Sequence, residues 1–239
     1  MAVNTAEVLT DPATCDEGSA DDATAGPLPL NAGDTTEEPA VPAPVLAARG
    51  LGHHTSRAVF GRFDLEVYPG ELVVLTGTPG SGRTAALLSL TGNFRHRHGV
   101  VVRAKTALGL VPGVHEPEPM LTAQEHLDER LRLLRPIGLP TRARRVRHKQ
   151  ALDQAGQRLP FDLMTKAGEL TPIDRHRLMI ELALLADPAV IAVDDADLGL
   201  TFDEQRDLAA ALRATGRAVV LTAREATAYA PDQIVEITR

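Results

Sequence analysis

Residues 77–84 read GTPGSGRT. Gly77, Gly82 and Thr84 satisfy the phosphate-loop pattern G-x-x-x-x-G-K-[ST], while Arg83 stands where the lysine should be. Thr78, Pro79, Gly80 and Ser81 fill the turn between the glycines. Such a loop works through geometry. The backbone N–H groups of 78–84 can wrap a polyphosphate, and a following helix N-terminus adds positive potential. The Thr84 hydroxyl can ligate Mg²⁺, but the metal needs a carboxylate from across the site. Asp194 follows the apolar run AVIAV and has that setting. Arg83 keeps the positive charge but is longer and planar, so it does not replace a compact ammonium like for like.

The elements that must position these groups are legible around them. LVVLTG, 72–77, is a short continuous apolar run ending in glycine, as a buried strand does. TAALLSLTG, 84–92, reads as a helix, so the loop sits between a strand and a helix start. Upstream, order begins near VLAARGL, 45–51, and FDLEV alternates as a half-exposed strand. Residues 121–158 read as polar helices with Leu127, Leu131 and Leu134 in one stripe, broken by Pro136 and Pro140. A helix from 173 to 187 leads into AVIAV. DEQRDLAAALRATG forms an amphipathic helix closed by Gly216, and RAVVLTARE and QIVEITR are further strands. Strands alternating with helices predict an α/β fold with a mostly parallel sheet.

Composition narrows the setting. Aromatic residues make up 3% of the 239, so the core must be built from Ala, Val, Leu and Ile. Residues 1–45 hold nine acids and no Lys or Arg. They carry too little apolar surface to offset chain entropy and are expected to be disordered. They also account for the acidity: residues 46–239 carry a net charge of +2, so the overall −7 says little about ligands. The single cysteine, Cys15, cannot form an internal disulfide, and no Cys/His spacing suggests zinc. The basic run TRARRVRHK, 141–149, lacks interleaved aromatics and reads as a solvated helix face, not a nucleic-acid site. No secretory leader and no membrane span is read, which suggests a cytoplasmic chain.

The order of GTPGSGRT, LTAQEHL, LTPIDRHRLMIELALLADPAVIAVDD and LTARE resembles the ATP-binding cassette (ABC) ATPases across residues 46–239. The resemblance rests on ALLADP running into AVIAVDD, and on the 24 positions from Leu170 to Asp194. It implies a P-loop NTPase of ABC type: a RecA-like core with an inserted helical subdomain at about 113–165. It implies ATP and Mg²⁺ as cofactors, with Gly77 to Thr84 around the phosphates and Thr84 and Asp194 at the metal. It also implies a membrane permease as partner, peripheral placement on the inner face of the cell membrane, and pairing with a second cassette, an intact one or a copy of this chain.

Departures from the family pattern accompany the likeness. Besides Arg83, Gly113 occupies the glutamine-loop position and LTPID, 170–174, replaces the LSGGQ signature. Asp195 replaces the water-polarising glutamate, Thr201 an aspartate and Arg224 the switch histidine. The adenine-stacking aromatic is missing, with His54 the nearest candidate. Asp195 is the carboxylate left to act as a base. Being one methylene short, it falls roughly 1–1.5 Å from the glutamate's reach, a displacement that can cost on the order of 10²-fold. Hydrolysis is therefore expected to be slow or absent in the isolated chain. A non-hydrolysing regulatory or scaffolding module is the alternative; a soluble P-loop kinase would not carry the ALLADP–AVIAVDD spacing.

Overall fold

The computed structural model describes residues 43–54, 58–134 and 141–239, leaving the Arg144 side chain aside. Most of the acidic segment and both helix-breaking prolines fall outside these residues. Two sheets form. The first is antiparallel, order β2-β1-β4, from β1 (Leu46–His54), β2 (Ala58–Val67) and β4 (His98–Arg103). The second is wholly parallel, order β5-β6-β7-β3-β8, from β3 (Leu72–Thr76), β5 (Thr106–Leu108), β6 (Val190–Val193), β7 (Ala218–Thr222) and β8 (Gln233–Glu236).

The two-residue period of β3 splits its side chains between two cores. Leu72 and Val74 face a core with Ile191, Val193, Val219 and Leu221 under helices α4 (Pro172–Leu184) and α5 (Phe202–Ala214). Val73 and Leu75 face the other, with Ala192, Val220, helix α1 (Arg83–Thr91) and the antiparallel sheet's Leu51, Phe60 and Val67. Helix α1 is thus packed between sheets, which is why Ala86 to Thr91 are all buried. A third core joins α2 (Ala123–Leu133) and α3 (Thr141–Arg158) to α4 through Leu127, Ala155, Leu159, Leu178 and Leu182. Arg158 of α3 also forks onto the buried Glu181 of α4 at 2.6 to 2.9 Å.

The parallel α/β architecture is the expected one. Three details differ. FDLEV joins a separate antiparallel sheet, and β4 and β5 had no sequence signal. The helix read as running to 187 ends at Leu184, because Asp187 turns left-handed at φ 50 and precedes Pro188, which disfavours helix. Thr201 is the N-cap of α5, accepting from the Glu204 amide. The described side chains of 141–149 are exposed or half-exposed, and His148 meets Asp128 of α2. Among the described residues no helix is long and apolar enough to cross a membrane.

Candidate functional site

Parallel strands end at the same edge, and ligands gather there in open α/β sheets. β6, β7 and β3 are neighbours in that order, so whatever follows them converges. The loop after β3 and the aspartates after β6 meet in this way, with the last residue of β7 between them.

The glycine pattern of the loop is enforced by contact. Gly77 has φ 148, and a Cβ there would collide with the Ile237 carbonyl and sit 2.6 Å from Ser81 Oγ. Gly82 has φ 91, caps α1, and would drive a Cβ into the Val59 carbonyl. Only glycine has the backbone freedom and the missing side chain that both positions require. The turn closes with the Ser81 amide donating to the Thr78 carbonyl at 3.0 Å. Pro79 is exposed at its tip.

Gly80 to Thr84 line a cavity of about 660 Å³ with Ala58, Val59, Asp195 and Arg239. Beneath it, Thr84 Oγ1 donates to Asp194 Oδ2 at 2.7 Å, although 110 residues separate them. Thr222 Oγ1 donates to the other Asp194 oxygen at 2.6 Å and accepts from the Asp195 amide at 2.7 Å. Asp194 is buried, so its charge is held by hydroxyl donors from both flanking elements. Sequence reasoning missed Thr222. Its signal was a hydroxyl at the end of an apolar strand, where threonine otherwise reads as an ordinary β-former.

Arg83 Nη2 donates to Asp195 Oδ1 at 3.2 Å. Its Nη1 is buried without a partner, as is Ser81 Oγ. Buried polar atoms are almost always satisfied, so two orphans at one cavity mark a place built for another group. An anion suits a cationic N–H and a hydroxyl. The hydroxyl and carboxylate oxygens of Thr84 and Asp194 are the hard donors Mg²⁺ prefers, and one or two protein ligands beside substrate phosphates is its usual arrangement. Among the described residues no cluster of three or more His, Cys, Asp or Glu side chains forms a separate metal site.

Asp195 sits at φ 40, in the left-handed region, which a non-glycine residue seldom occupies. Burial, then the neighbouring Asp194, pushes its pKa up, and Arg83 opposes the shift. Strain and a raised pKa together are common at functional positions.

Two expected site residues stand apart. Arg224 does not line the cavity: its Nε donates to Asp197 Oδ2 at 2.8 Å. That ion pair holds Arg224 in place of a contact with the site, and Asp197 was not read from the sequence. His54 does not line it either; its ring lies 6.2 Å from that of His98 across the antiparallel sheet. Gly113 is exposed in a turn at φ 73, its amide bonded to Glu116.

The signature position is also explicit. Thr171 is the N-cap of α4 and Pro172 its first residue. The Asp174 amide donates to Thr171 Oγ1 at 3.3 Å, and that hydroxyl donates to the Asp174 carboxylate at 2.7 Å. The helix end therefore holds its own anion.

Comparison with known proteins agrees with this geometry. The chain matches the ABC transporter family over residues 60–197. It is 33% identical over 181 residues to the zinc import ATP-binding protein ZnuC of Roseobacter denitrificans, covering 71% of this chain and 65% of that protein. It is 27% identical over 207 residues to an uncharacterized ABC transporter ATP-binding protein of Mycobacterium tuberculosis, covering 78% and 61%. The matched region thus spans about two thirds of these relatives, or less. Among solved structures, cbiO1 from Clostridium perfringens superposes with a TM-score of 0.66 at 12% identity, over 82% of this chain and 85% of that one. The dimeric cassette MJ0796 gives 0.65 at 17% identity, over 80% and 94%. The family match covers more than half the chain, and its phosphate loop and strand-end aspartate meet as that fold requires: the chain belongs to the ABC transporter family.

Proposed function

We propose that this chain is the nucleotide-binding subunit of an ABC transporter-like system, and that it holds ATP·Mg²⁺ while turning it over slowly or not at all by itself. The observation that carries the reading is the Thr84–Asp194–Thr222 hydrogen-bond chain beneath a glycine cradle with two orphaned polar atoms. Gly77 to Thr84 would surround the phosphates, with Thr78 and Pro79 shaping the turn. Thr84 and Asp194 would hold the metal, which supplies charge neutralisation at the phosphate oxygens. Asp195 would take the proton of an attacking water, and burial makes it a stronger base than an ordinary aspartate.

Three contacts support the proposed impairment. Asp195 is short and tied to Arg83, Arg224 is tied to Asp197, and α4 offers its own carboxylate where the family offers glycine amides. The expected partners are a membrane permease and a second cassette with complete motifs, at the inner face of the membrane. One observation favours the alternative, a scaffold that has shed its ligand: the Arg83–Asp195 pair already neutralises much of the site from within.

Calorimetry of the full chain separates the two. Micromolar MgATP binding, lost in Thr84→Ala and Asp194→Asn, is the expected result, with turnover at least about 10²-fold below that of an intact cassette. No binding at millimolar nucleotide would leave the scaffold. Turnover equal to an intact cassette would overturn the impairment.

A further inference from the structure

The cavity contains a cation that the family pattern does not supply. Arg239 lines it beside Gly80, Ser81 and Arg83. Its placement is determined by the backbone before it. The Ile237 amide donates to the Thr76 carbonyl at 2.8 Å, tying the segment after β8 to the end of β3. The Gly61 amide donates to the Thr238 carbonyl at 2.6 Å, tying the same segment to β2. Ile237 is buried in the core between the sheets. Pinned from two sides, the chain delivers residue 239 over the phosphate loop. The guanidinium Nη2 then lies 3.4 Å from where a side chain on Gly80 would begin, an approach that the bare glycine leaves open.

The other charged groups around the site already have partners. Arg83 is paired with Asp195, Arg224 with Asp197, and Asp194 is held by two hydroxyls. Among the described residues Arg239 has no carboxylate partner. A nucleoside triphosphate carries about four negative charges, and a guanidinium forks onto phosphate oxygens with two parallel N–H bonds. With Arg83 partly neutralised, the loop alone is short of positive charge.

We propose that Arg239 is a nucleotide-binding residue, a second arginine that contacts the phosphates and offsets the lost loop lysine. The inference rests on the nucleotide-binding reading above. Its test is calorimetry of the full chain with MgATP and with magnesium tripolyphosphate, comparing wild type, Arg239→Gln, Arg239→Lys and the control Arg206→Gln on the exposed face of α5. The expected result is a 5- to 30-fold weaker Kd for both probes in Arg239→Gln and partial recovery in Arg239→Lys. Arg206→Gln should match wild type, and the melting temperature should not change. Equal affinity of wild type and Arg239→Gln would overturn the proposal while leaving the phosphate-loop reading intact. A loss for MgATP but not for tripolyphosphate would overturn the phosphate contact in favour of one to ribose or base. No binding by wild type would overturn both readings together.

Discussion

Thr222 shows how much one buried hydroxyl can set. It is fully buried, donates to Asp194 and accepts from the Asp195 amide, so it fixes both aspartates at once. Thr222→Val keeps the shape but leaves that amide without an acceptor and Asp194 with one donor fewer. Stranding a buried polar group costs about 1–3 kcal/mol. The urea midpoint should fall accordingly, and Mg²⁺-dependent nucleotide binding should weaken, while Thr222→Ser restores most of both. An unchanged midpoint in Thr222→Val would show that the aspartates are held by the strand ends alone. Thr84 and Asp194 were legible because each closes a recognisable strand or opens a helix. Thr222 and Arg239 were not, since their roles exist only through neighbours more than twenty residues away in sequence.

Helix α4 is the wall shared by two cores, with Ile173, Ile180 and Ala183 on one side and Leu178, Met179 and Leu182 on the other. A helix covered on two faces carries polar residues inside, and His176 is 2% exposed with Nδ1 unpartnered. Burial drives its pKa down from 6.5 to about 4. The unfolded chain thus binds a proton there between about pH 6.5 and 4 while the folded chain does not. Stability is fully present above pH 6.5 and is lost as pH falls through that window, by up to about 3 kcal/mol. Denaturant titrations of His176→Leu should show a shallower decline from pH 6.5 to 4 than wild type; parallel declines would place the acid sensitivity elsewhere. The same double burial reaches the polar first turns of the helix read at 173–187. PIDRHR looks solvent-facing, yet its Ile173 and His176 are buried while Pro172 and Arg175 stay exposed. β4 and β5 were hidden for a different reason. β4 is an edge strand with exposed Val100 and Val102, and β5 has three residues, too few for a period.

At the scale of the molecule the question is self-association. A helix N-terminus recognises an anion through free amides and its dipole. In α4 those resources are spent within the chain. Pro172 has no N–H, Ile173 is branched, and the Asp174 carboxylate is held at the helix end by Thr171 at 2.7 Å and by Arg177 at 2.9 Å. In the proposed pairing of cassettes, where the family resemblance implies that this helix end faces the nucleotide of the opposite subunit, a second copy of this chain would bring that carboxylate toward phosphate, and like charges repel. Light scattering on the full chain should therefore report a monomer with and without MgATP. Replacing Pro172→Gly, Ile173→Gly and Asp174→Gln together removes the internal anion and frees amides. It should cost several kcal/mol of stability, about 2–5 from emptying the buried Ile173 position and the rest from the added glycines and the lost capping charge, so its fold is checked by its urea midpoint first. It should also introduce a nucleotide-dependent dimer, provided the phosphate loop binds as proposed. An intact cassette mixed with the unaltered chain supplies the missing amides from its own side, so a mixed pair should form where the homodimer does not. A MgATP-dependent homodimer of the unaltered chain would show that Asp174 is no barrier, and that the altered signature still closes a site.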